Sequence, residues 1–279
     1  MANSRARRGM QRRSGALGEC HLRGRSCRKS LPASLPLVHA TAAFTANEIL
    51  RAGKLETRHC RVFKRDLLYF FVMRPDYRSR EGGKSSHQLN VFPVVFIMRP
   101  EAADPLVHAY PFDTGAAAAG AFAEQADPLL PLEDYSLESS LSATVGHIEW
   151  AFGTLADYMD GHLRTDIREG VPRHETVTHG FVDVALMGRK LSNLHDRRAS
   201  AVEVAVGNDI DLKGNILLAI LPKQYLEDEA GPNAVVIERL KAHEILVETY
   251  DWRPNTSPDE YQQDITDLAL AFFTKENLL

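Results

Sequence analysis

The chain has 279 residues, 44% of them apolar and 25% charged, with a net charge of −4, as expected of a soluble globular protein. The charge is unevenly spread: nine Arg/Lys stand in residues 1–30 against the single acid Glu19, leaving 24 basic and 36 acidic residues elsewhere. That acidic body disfavours broad electrostatic binding to nucleic-acid phosphate, and no apolar run approaches transmembrane length.

Residues 1–33 are rich in Arg, Ser and Gly and lack hydrophobic periodicity, so they read as a disordered basic tail. The tail lacks the apolar stretch of a secretory signal, and it reads as a nucleic-acid-binding or targeting arm or as residues added by an upstream start codon. Cys20 and Cys27 lie in it and Cys60 stands alone, a pattern that supports neither a disulfide framework nor a structural zinc site and fits a reducing cytoplasm.

From residue 34 onward the pattern predicts a single α+β domain. Leu35–Thr41 reads as a strand, followed by a helix with capping-box spacing at Thr45 and Glu48 and a stop at Gly53. Residues 59–73 read as strand, ending in the apolar run Leu67–Met73, which Pro75 must close because it has no N–H for a ladder. Residues 78–90 are polar and loop-like, and Val91–Ile97 forms another buried strand. An alanine-rich short helix is expected within 109–135, and 138–168 carries one-faced helical spacing. Residues 169–196 show no clear pattern. Strands follow at 201–206, 216–222 and 245–250, with a turn at Asn208–Asp211, helical or irregular pieces near Val235–Leu240, and a terminal amphipathic helix over 258–276. Strands and helices alternate irregularly, which favours α+β over a doubly wound sheet.

Three places carry chemistry. His39 sits on the first strand, where it is either a hydrogen-bonded core histidine or a ligand-positioning group. The run Tyr69-Phe70-Phe71-Val72-Met73-Arg74-Pro75-Asp76-Tyr77 delivers a guanidinium beside aromatic faces, which suits a flat anionic ligand as well as a core strand with a capping arginine. Glu203 alternates with valines and shares a strand face with Ala201 and Ala205; it is either a solvated edge residue or a carboxylate with room for a ligand. Elsewhere His147-Ile148-Glu149 and His174-Glu175 lack the two-histidine helical spacing of a zinc hydrolase, so no metal site is predicted. Gly82-Gly83-Lys84-Ser85 lacks the first glycine of a phosphate loop, and Asp113-Thr114-Gly115 reads as a tight turn.

In that order, His39-Ala40-Thr41 with Asn47–Leu55, Tyr69–Tyr77, and Arg198–Val204 resemble the ADP-ribosyltransferase superfamily, closest to the DarT-type toxins and related defence effectors. The resemblance implies a split β-sheet core with a helical insertion at about 104–196. It implies NAD as co-substrate, held by His39, Thr41, Tyr69, Arg74 and Tyr77, with Glu203 as the catalytic carboxylate. His39 would meet the adenosine ribose, a tyrosine would stack on nicotinamide, and Arg74 would pair with the pyrophosphate. The implied activity is transfer of ADP-ribose to a macromolecular acceptor, nucleic acid or protein, by a cytoplasmic toxin or phage-defence effector with a possible antitoxin partner and no membrane association. A catalytically silent nucleotide- or partner-binding module of the same fold, and a metal-independent nucleic-acid enzyme served by the basic tail, are the competing readings.

Overall fold

The computed structural model describes residues 9–13, 22–25, 30–76, 83–188, 196–227, 231 and 233–279. They form strands β1 (Leu37–Ala42), β2 (Lys54–Leu55), β3 (Arg58–Cys60), β4 (Arg65–Val72), β5 (Pro93–Met98), β6 (His108–Tyr110), β7 (Glu203–Val206), β8 (Ile210–Asp211), β9 (Ile216–Pro222) and β10 (Leu246–Tyr250). The helices are α1 (Ala43–Ala52), α2 (Thr114–Ala118), α3 (Leu141–Phe152), α4 (Leu155–Asp160), α5 (Thr176–Ala185), α6 (Ala234–Ala242) and α7 (Gln262–Lys275). The architecture is mixed α and β with mostly antiparallel pairing. Two compact units alternate along the chain: a helix-rich unit of Met1–Ser34, His59–Arg65 and Pro105–Ala205, and a sheet unit of Leu35–Arg58, Asp66–Asp104 and Val206–Leu279.

In the sheet unit the strand order is β10-β9-β5-β1-β4. β1 runs antiparallel to β5 and β4, β5 antiparallel to β9, and β9 parallel to β10. All six residues of β5 are buried, which is why Pro93–Met98 is a continuous apolar run rather than an alternating one. Ala43, Ala46 and Leu50 of α1 meet Val94 and Phe96 of β5, with Val236 and Leu240 of α6 closing the same core. α1 starts at Ala43, two residues before the expected capping box, because the Ala43 amide donates to the Phe92 carbonyl and needs no side-chain cap. Gly53 ends it in the left-handed region, at φ 72°. The expected strand over 59–73 is two strands, separated by a turn in which the Lys64 amide donates to the Cys60 carbonyl.

In the helix-rich unit β6 pairs antiparallel with β7, placing Tyr110 opposite Glu203. The expected single helix over 138–168 is α3 and α4, broken at Gly153 (φ 84°), with Ser140 and Thr154 as their caps. Phe112, Phe122 and Tyr135 form one buried aromatic cluster, and Phe152 with Tyr158 another. Parts of the segment expected to be a tail pack here: Leu22 is fully buried, and the Met10 amide donates to the Ala117 carbonyl. Arg12 pairs with Glu133, Arg13 with Asp134 and Arg25 with Glu175, so the basic segment finds acids of the body. The 3-10 turn Arg197–Ser200, which leads into β7, is backed by Gly161 (φ 71°). A Cβ there would stand 2.9 Å from the Gly188 carbonyl oxygen and 3.1 Å from Ser200 Oγ. Gly161→Ala should therefore cost about 1–3 kcal/mol in urea denaturation, from combined backbone strain and overpacking; an unchanged midpoint would show that this turn yields freely.

Candidate active site

Glu203 opens β7 and is buried. All of Ala201–Val206 is buried, so the strand has two covered faces rather than one open one. The Glu203 carboxylate is met from across β6. After Tyr110 the chain turns into α2, whose cap Asp113 accepts from the Ala116 amide at 2.8 Å. The next residue, Thr114, donates its hydroxyl to Glu203 Oε1 at 2.6 Å and its amide to both carboxylate oxygens at 3.3 Å. Arg198 holds the acids in place. Its Nε and Nη2 grip Asp196 at 3.0 and 2.9 Å, and its Nη1 donates to Asp113 Oδ2 at 3.1 Å. Burial, reinforced by the negative charge of Asp113, pushes the Glu203 carboxyl well above its usual range, while the Thr114 hydrogen bonds work the other way.

This arrangement has a pH signature. The folded chain holds the Glu203 proton more tightly than the unfolded chain does. The stability it confers is full below the ordinary value of 4.5 and is lost as pH rises through the folded-state value. Surface carboxylates held down by basic partners, Asp166 by Arg164, Glu175 by Arg25 and Asp209 by Lys54, act in the opposite sense. The expected result is thus a difference: stability measured by urea titration from pH 4.5 upward should fall more steeply for the wild type than for Glu203→Gln. The extra slope is bounded by about 1.4 kcal/mol per pH unit. Parallel curves would mean that Glu203 titrates as an ordinary carboxylate.

Beside this cluster lies an aromatic group. Phe63 packs on His108 with ring centroids 4.2 Å apart and on Tyr110 at 5.8 Å, and the Arg12 guanidinium lies 4.5 Å from the Phe63 centroid. Burial, with help from Arg65 and Arg12, lowers the His108 pKa to about 4, so its imidazole is neutral. Burial likewise raises the Tyr110 hydroxyl, with Glu133 adding to the effect.

In the sheet unit, His39 and Thr41 share one face of β1, and both are half-buried. His39 Nδ1 lies 2.9 Å from the Tyr69 carbonyl oxygen, which can only accept, so Nδ1 carries the proton of the neutral ring and Nε2 presents a lone pair. Burial lowers the His39 pKa against the opposing effect of that bond, and Arg58 lowers it further. Tyr69 itself is half-buried. Arg74 is fully buried, and its Nε lies 2.7 Å from Asp76 Oδ2, so the guanidinium that the resemblance assigns to a pyrophosphate braces the strand exit here. Tyr77 lies outside the described residues.

The structure thus joins His39 to Tyr69 and joins Glu203 to Thr114. Thr114, Asp113 and Arg198 were not among the residues expected to act. The Asp-Thr-Gly triplet ahead of a run of alanines carries a helix-cap signal, which places Asp113 but does not reveal what Thr114 touches. Among the described residues no group of three or more His, Cys, Asp or Glu is placed to hold a metal ion, and no helix is long and apolar enough to cross a membrane. No protein-family model, curated protein or solved structure matches this chain.

Proposed function

We propose that this chain is an NAD-dependent ADP-ribosyltransferase that modifies a macromolecular acceptor, in the manner of a toxin or phage-defence effector. The observation that carries the reading is Glu203, a buried carboxyl on a strand, held by the Thr114 hydroxyl at 2.6 Å and poised toward protonation. The nicotinamide–ribose bond breaks with its electron pair leaving on nicotinamide, and positive charge develops on the ribose. The cationic nicotinamide ring and the nascent cation favour the ionised form of Glu203, which stabilises that charge. The acceptor's nucleophile forms the new bond to the ribose carbon. Its proton goes to Glu203, whose raised affinity for a proton suits it as the base. His39 Nε2, fixed as an acceptor by the Tyr69 carbonyl, would take a hydrogen bond from a ribose hydroxyl of NAD.

A second reading, a silent nucleotide- or partner-binding module of the same fold, is favoured by one observation. The Glu203 carboxylate is already satisfied by Thr114 and nearly excluded from solvent, at 4% exposure. Purified protein incubated with labelled NAD and with protein and nucleic-acid acceptors separates the two. Label retained on an acceptor, with nicotinamide released, supports the transferase. Binding of NAD without cleavage favours a nucleotide-binding module, and neither binding nor cleavage sinks the transferase and leaves only a partner-binding module.

A further inference from the structure

A second site lies elsewhere in the helix-rich unit. A cavity of about 210 Å³ opens between Leu22–Gly24 and the start of α3, walled by Arg23, Arg25, Glu138, Ser142, Ala143 and His147. His147 is 1% exposed, yet among the described residues neither of its ring nitrogens has a hydrogen-bond partner. A buried polar group in that condition costs free energy unless something completes it. Its ring is held by Phe181 and Trp150, with centroids 4.9 and 5.5 Å away, so it cannot swing to another partner without repacking that cluster. Burial lowers its pKa to about 3, which leaves a neutral imidazole with one N–H to donate.

The rest of the wall offers hydrogen-bond donors. α3 has twelve residues, and its cap Ser140 accepts from the Ala143 amide at 3.2 Å. The amides of Leu141 and Ser142, in the first turn, have no intrahelical carbonyl to reach. Arg25 is clamped by Glu175, and Arg23 Nε donates to Ser136 Oγ at 3.2 Å, so both guanidinium groups are positioned rather than trailing in solvent. Among the described residues that line the cavity Glu138 is the one acid, and it is exposed; Glu175 lies behind Arg25 as its ion-pair partner.

We propose that this cavity binds a small oxyanion, a phosphate or a short carboxylate, between the two arginines and the first turn of α3, with His147 donating from the floor. The volume suits such a ligand, since a water-sized group occupies about 30 Å³. The site uses neither Glu203 nor NAD and stands apart from the transferase reading. Calorimetric titration of the full chain with inorganic phosphate and with succinate, at constant ionic strength and against sodium chloride, tests it. Saturable binding of phosphate or succinate, but not of chloride, is expected, and the probe that binds names the source. Arg23→Gln, at an exposed position, should weaken that binding roughly tenfold or more, the loss expected for one charge-assisted hydrogen bond. Ser142→Asp should do the same by repulsion while favouring the helix start, so its melting temperature should not fall. A loss in either folded variant supports the site. Wild-type protein that binds neither probe saturably, or undiminished binding in both variants, overturns it.

Discussion

Glu203→Gln should lower NAD turnover by about 10²–10³-fold while changing NAD affinity far less, because the substitution removes a charge that matters most when the ribose becomes cationic. The amide keeps the size of the side chain and can still accept from the Thr114 hydroxyl, so the surrounding contacts should persist. Turnover is read as nicotinamide release, and affinity as binding of intact NAD. Removing the charge from a buried carboxyl should not cost folding stability near neutral pH, so a melting temperature equal to the wild type's is part of the expected result. A variant that folds, binds and still turns over NAD at the wild-type rate would move the chemistry to another acid. Asp113, whose charge is felt at Glu203, is the first to examine.

The other large effect is on stability. Arg74 and Asp76 are 0% and 3% exposed and form an ion pair where β4 ends. Removing either residue takes from a buried charge the ion-pair partner that lies 2.7 Å away. Asp76→Leu alone, or Arg74→Met alone, should cost about 3–5 kcal/mol in urea denaturation. The double variant should recover much of that loss, because two apolar side chains restore packing and neither charge of the pair is left in the core without the other. Single variants that lose less than about 1 kcal/mol would show the pair to be screened as surface pairs are. The double variant has a second use. If Arg74 acts only as a brace, a stable double variant keeps its NAD affinity, and if the guanidinium also meets the pyrophosphate, affinity falls with stability intact.

Much of the sheet unit was legible because its strands are buried runs with sharp ends. Pro93–Met98 and Ile216–Pro222 are apolar throughout, and Gly53 stops α1 where a left-handed residue was needed. The errors have local causes. The turn between β3 and β4 contains no Gly or Pro, and its left-handed residue is Lys64 (φ 55°), so nothing in the pattern marked a break. Helical periodicity carried across Gly153 because Phe152 and Leu155 both remain buried on either side of it. α5 went unread because Thr176, Thr178, His179 and Gly180 are poor helix formers, and burial of Val177, Phe181 and Val184 holds it instead. Glu203 could be singled out from its strand. Its partner Thr114 lies 89 residues away, a distance over which no spacing rule operates, and Arg198 stands in the strand's lead-in with no pattern that marks the acids it grips.

The order in which the two units share the chain has a practical result. The backbone passes from one to the other at Ser34–Leu35, Arg58–His59, Arg65–Asp66, Asp104–Pro105 and Ala205–Val206. No single cut releases either unit whole, and no simple truncation yields one without severing the other. Neither can be produced alone as a continuous fragment, and ribosomal synthesis completes the sheet unit last, since β9, β10, α6 and α7 all follow the final junction. Until Tyr250 has emerged, β9 has β5 on one side but lacks β10, its parallel neighbour on the other.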